Sequence, residues 1–180
     1  MSARTKARKR ALDILFSADV RGEELSVVLA AAAKRAASEP AREASWLYAR
    51  DIVDGIIDNR DEIDEHITTH SNDWKLDRMP AVDRSLLEIG TWEILFNDDV
   101  PDKVAIDEAL GLAKTLCADD APSFIHGLLS AVCADKSQIA PQEDAAERTV
   151  ADTSAQGDGP AGAPSDADTA EQSGESAANE

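Results

Sequence analysis

Five cations crowd the first ten residues, Arg4, Lys6, Arg8, Lys9 and Arg10, with no acid among them, in a chain of formal net charge -18. A local reversal of this kind marks a place where a polyanion could sit. Phe16 stands seven residues after Lys9, so on a helix the two lie within about 20° of each other. That pairing suits a short single strand of RNA, because a ring stacks a base while Lys and Arg neutralise phosphates. The residues equally allow a structural role, with Phe16 packed under a second helix and the cations solvated. Residues 11–139 carry 26 acids against 12 bases. Long duplex DNA would be repelled over most of such a surface, which favours a short strand held locally.

Other reactive residue types do not assemble into a site. His66 and His70 lie four apart in the stretch HITTH, a spacing that puts both on one helix face, but the glutamate of a zinc-protease motif is missing between them and no third ligand is evident. They read as solvated helix histidines, and no metal or cofactor is expected. The cluster Asp61, Glu62, Asp64 and Glu65 lacks the glycine and the ligand spacing of a calcium loop, so a charged, exposed helix face accounts for it. Cys117 and Cys133 read as small packed hydrophobes. There is no glycine-rich phosphate loop, no Cys-x-x-Cys pair and no nucleophile elbow. The expectation is a binding protein, not an enzyme.

The elements that must position these groups are helical. Ala7, Ala11, Ile14, Leu15 and Ala18 form one stripe, and Val27, Val28, Ala31 and Ala32 mark a second segment closed before Pro40. A third helix is expected from about Ala41 through Trp46, Leu47, Ile52, Val53, Ile56 and Ile57, and a short fourth carries Ile63 and Ile67. Leu86, Leu87, Ile89, Ile94 and Leu95 define a fifth. Pro101 reads as the first-turn proline of a sixth, which holds Ala105, Ala109, Leu112, Ala113 and Leu116. Asp120 is the expected N-cap of a last helix with Phe124, Ile125, Leu128, Leu129 and Val132. No segment alternates with period two. The fold class is therefore all-α, about seven helices in two packed sub-bundles, with the loop near residues 70–80 as the seam.

Residues 1–139 have single-domain length, and the change in composition after that point separates them from 140–180. There, ten carboxylates face Arg148 alone, and Val150 is the one large aliphatic residue in a stretch without aromatics. Such a segment cannot bury enough apolar surface to offset its ordering entropy, so an acidic, disordered tail is expected. It either keeps the protein soluble or competes with RNA at the basic start. Sparse cysteines, no signal-peptide pattern and no apolar run of membrane-spanning length point to a cytoplasmic protein with reduced thiols.

Three stretches carry a family resemblance: VDRSLLEIGTWEIL (residues 82–95), DVPDKVAIDEALGLAK (99–114) and SFIHGLL (123–129), joined by ARKRALDILF (7–16) and RDIVDG (50–55). In order and without a large gap over about residues 4–135, they resemble the NusB family of transcription antitermination factors. The resemblance implies two helical sub-bundles, no catalysis, and binding to the boxA element of ribosomal RNA leader transcripts. It further implies action together with NusE, a small-subunit ribosomal protein, in an antitermination complex with RNA polymerase.

By position, the family's RNA contacts fall on Arg4, Lys6, Arg8, Lys9 and Arg10, on Phe16, and on the Phe124 and His126 region. These would form one corner for a short RNA strand. Its acidic contacts with NusE fall on Asp77 and Asp83. The chain departs from the family at Glu88, where an arginine is common, and at Asp107 and His126, where asparagine is usual. Two other readings fit the same helices: a protein-only scaffold or homodimer that has lost specific RNA binding, and the NusB-like domain of RNA cytosine methyltransferases.

Overall fold

A computed structural model describes residues 2–38, 43–71 and 74–139. Among them are seven α-helices, one 3-10 turn and no strand. The helices are α1 (Ala3–Arg21), α2 (Leu25–Ala36), α3 (Glu43–Asp58), α4 (Arg60–His70), α5 (Ala81–Phe96), α6 (Asp102–Leu116) and α7 (Ala121–Ile139), with the turn at Leu76–Arg78. The expected tail at 140–180 and the expected third-helix start at Ala41 lie outside the described residues.

Local chemistry sets the boundaries. Ser2 caps α1, its hydroxyl accepting the Thr5 amide at 3.0 Å. Gly22 closes the helix in the left-handed region at φ 62°, which a side chain would strain. Pro101 occupies the N-cap of α6, one position earlier than expected, and its carbonyl accepts the Val104 and Ala105 amides at 2.8 and 3.1 Å. Asp120 immediately precedes α7, its carbonyl accepting the Phe124 amide at 3.4 Å.

The expected α1 stripe of Ala7, Ala11, Ile14, Leu15 and Ala18 is buried in full. In α2 the buried set is Val28, Leu29 and Ala32, while Val27 and Ala31 face solvent. The inward face there is rotated from the alanine run that the sequence emphasised.

α1, α2 and α3 pack together, and α5, α6 and α7 form a second group, with α4 against α5 and α7. α5 belongs to both groups because it also packs on α1 and α3. Eleven of its residues are buried, five of them polar: Asp83, Ser85, Glu88, Thr91 and Glu93. Contact between α3 and α5 depends on Gly55, where a Cβ would stand 2.0 Å from Trp92 Nε1. α1 runs antiparallel to α5: Arg8 meets Glu93 near the C-terminal end of α5, and Asp19 meets Arg84 near its start.

Candidate nucleic-acid interface

The first helix divides its charges between solvent and core. Lys6, Lys9, Asp13, Phe16 and Val20 fall on the stripe opposite the buried one. Phe16 is 40% exposed, and Lys9 pairs with Asp13 one turn on. Arg4 lies at the exposed helix start, its guanidinium 5.0 Å from the centre of the Tyr48 ring and NH1 3.5 Å from the Asp99 carbonyl. Arg10, half-buried, flanks this stripe at a groove shared with Asp13, Arg35 and Trp46. Trp46 was read as a position of the third helix and neither it nor Arg35 as a site residue, because their nearness to Arg10 exists only once α2 and α3 have packed on α1.

Arg8 corrects the sequence expectation. It is 2% exposed, since Arg8, Leu12 and Leu15 follow one another at helical spacing on the face turned to α5. Its Nε donates to both Glu93 carboxylate oxygens at 2.9 Å, NH2 lies 2.9 Å from Oε1 as an ionic contact without an aligned hydrogen bond, and NH1 lies 3.3 Å from Glu108 Oε2. The Tyr48 hydroxyl also donates to Glu93. Burial and the neighbouring Glu93 charge push the Tyr48 pKa well up, so it remains a donor. A guanidinium held on these partners inside the protein is a structural cation, unavailable to a phosphate.

Asp83 is the second correction. It is 5% exposed, and burial together with the nearby Asp83 carboxylate pushes the Cys117 thiol pKa up to about 12. An acid engaged in the interior is not a docking contact for a basic partner. Asp77, on the 3-10 turn, is exposed. Glu88 is likewise internal, 3% exposed and 3.3 Å from Arg60. Burial raises its pKa to about 7 even with Arg60 opposing the shift. The departure at this position thus places an acid in the interior.

Near the start of α7, Phe124 stands beside Trp74, ring centres 4.9 Å apart and planes tilted 53°, while His126, two residues on and therefore about 200° round the helix, is exposed on another face. This aromatic pair lies near the start of α5: α7 runs alongside α5 from the Phe124 end, with Leu129 against Gly90 and Lys136 Nζ 2.5 Å from the Ile94 carbonyl. The basic start of α1 is held at the other end, where Thr5 donates to Glu108 at 3.2 Å. Along α5, Arg8 lies level with Glu93 and Asp19 with Arg84, so Phe16 on α1 and Phe124 on α7 both fall beside the N-terminal half of α5, and the basic start of α1 lies toward its C-terminal end.

The two histidines acquire a neighbour that spacing could not reveal. Asp135 of α7 approaches α4 with Oδ2 2.7 Å from His70 Nε2, and His66, His70 and Asp135 bring one ligand atom each within 4.8 Å of one another.

Fold and surface together define an all-α, two-bundle protein with a cationic and aromatic edge along its first helix. The model of the NusB family matches residues 5–134, and the chain belongs to that family. A transcription antitermination protein NusB from Leifsonia xyli subsp. xyli is 64% identical over 136 residues, which cover 76% of this chain and 94% of that one. The protein of the same description from Nocardioides sp. is 46% identical over 143 residues, covering 78% of this chain and 100% of that one. Among solved structures, T. maritima NusB aligns with TM-score 0.64 at 29% identity over 75% of this chain and 93% of that one. A structure of the antitermination factors NusB and NusE in complex with dsRNA aligns with TM-score 0.65 at 26% identity over 75% of this chain and 98% of that one. No helix among the described residues is long and apolar enough to cross a membrane.

Proposed function

We propose that this chain is a non-catalytic antitermination factor that binds the boxA RNA of ribosomal leader transcripts together with NusE and joins RNA polymerase in the cytoplasm. The observation that carries this reading is the solvent-facing stripe of α1, where Lys6, Lys9 and Phe16 stand on one side of a helix whose opposite side is core. Arg4 extends the cationic edge and Arg10 flanks it. A single strand laid along this edge would meet phosphate partners first and a stacking ring next, then continue toward Trp74, Phe124 and His126. Arg8 serves by holding α1 on α5. Asp77 is the acid placed to meet a basic NusE, and residues 1–139 form the functional unit. The solved complex of the antitermination factors NusB and NusE with dsRNA supports NusE and RNA as the classes of partner.

Titration of labelled boxA RNA, a scrambled RNA and a duplex, with and without NusE and at two salt concentrations, tests the reading. Preferred binding of single-stranded boxA, enhanced by NusE and weakened by salt, is expected; equal binding of boxA and scrambled RNA under all conditions would favour a protein-only scaffold. Removal of residues 140–180 tests the acidic segment: unchanged RNA affinity at low salt would leave it no competitive role.

A further inference from the structure

We propose that His66, His70 and Asp135 form a binding site for a first-row divalent ion of the zinc class, joining α4 to α7. Four residues separate His66 from His70, which places both imidazoles on one face of α4. α7 then supplies the carboxylate, and the three ligand atoms lie within 4.8 Å of one another. Tetrahedral zinc with bonds of 2.0–2.2 Å sets its ligands about 3.3 Å apart. Closing the site thus needs side-chain rotations of the order of an ångström: His70 and Asp135 move slightly apart from their 2.7 Å contact, while His66 moves in. The helices need not shift.

The surroundings suit a cation. His66 and Asp135 line an open cleft together with Asp61, Glu62 and Glu65. That acidic rim raises the local concentration of cations, and the opening leaves room for water at the remaining coordination position. Two imidazoles select against magnesium and calcium, which take oxygen ligands, and favour zinc, nickel, copper or iron. The acidic face that looked like plain solvation in the sequence becomes the mouth of the site.

The test is calorimetric titration of the full chain with ZnCl2, with MgCl2 and CaCl2 as controls and CoCl2 as a spectroscopic probe. One zinc per chain is expected, with visible cobalt absorption at the same stoichiometry. At free zinc a hundredfold above its Kd, the unfolding equilibrium constant should fall about a hundredfold. His66→Gln leaves the His70 contact with Asp135 in place, so its fold is retained, and it should weaken zinc binding about tenfold or more; Asp135→Asn should do the same. Zinc binding that is absent, equalled by magnesium, or unchanged in both variants would overturn the site. So would metal-insensitive melting of the parent combined with lower stability in Asp135→Asn, which would leave the contact of His70 with Asp135 as an interhelical hydrogen bond alone.

Discussion

Replacing Arg8 by Met should unfold the protein before it affects RNA recognition directly. The substitution keeps most of the aliphatic volume and removes the charge, leaving Glu93 at 1% exposure with the Tyr48 hydroxyl as its remaining donor. Removing one partner of a buried ion pair costs about 3–5 kcal/mol, because the surviving charge is stranded in a poor solvent. Against a total stability of about 5–15 kcal/mol this is a large fraction. At about 3–5 °C per kcal/mol for a domain of this size, it corresponds to a fall in Tm of about 10–20 °C. Thermal and urea unfolding of Arg8→Met, Glu93→Leu and the double variant form a cycle whose coupling isolates the pair. The double variant should be more stable than Arg8→Met, since no unpaired charge remains. RNA affinity, measured well below the lowered Tm, should change little for Arg8→Met. A loss below about 1 kcal/mol in stability, accompanied by a clear drop in RNA affinity, would refute the reasoning and return Arg8 to the surface contacts.

Lys6→Ala and Lys9→Ala should leave stability nearly unchanged and weaken RNA binding at all sequences, each lowering the salt slope by about 0.7 if its phosphate contact is lost. Glu88→Gln should stabilise the protein in a pH-dependent way. The folded pKa of about 7 lies above the ordinary glutamate value of 4.5 expected in the unfolded chain, so ionising Glu88 costs stability as pH rises from about 4.5 and the cost is complete above 7; urea unfolding should show a gain approaching about 3 kcal/mol at pH 8 and little at pH 4. Gly55→Ala should cost about 1–3 kcal/mol by forcing Trp92 out of its place, visible as a lower Tm. Asp77→Lys should weaken a NusE complex in a pull-down or titration while leaving Tm unchanged, and an unaltered complex would remove Asp77 from that interface.

The helices were legible because long apolar stripes at period 3.6 do not depend on tertiary context, and the α1 stripe is buried residue for residue. The cationic start was legible as charge but not as position. Arg8 belongs to the same helical row as Leu12 and Leu15, a row that points to α5, and that row was the available signal for its burial. In α2, alanine is small enough to sit on either face, so the pattern could not say whether Ala31 or Leu29 turned inward. Asp83 and Glu88 looked like surface acids because sequence carries no record of the thiol and the arginine that the fold brings to them. The groove of Arg10, Arg35 and Trp46, and the approach of Asp135 to the two histidines, are products of packing between distant segments. The resemblance supplied the family from local motifs, and packing against α5 then took Arg8 out of the set of exposed cations.

α5 packs against helices of both groups and is buried over most of its length. Neither group can therefore retain its packing after the other has melted, since each would be left facing a helix stripped on one side. Unfolding of the described core should be a single cooperative transition, and a ligand held at either end will protect amide hydrogens at the opposite end from exchange against solvent, with no conformational change passing between them.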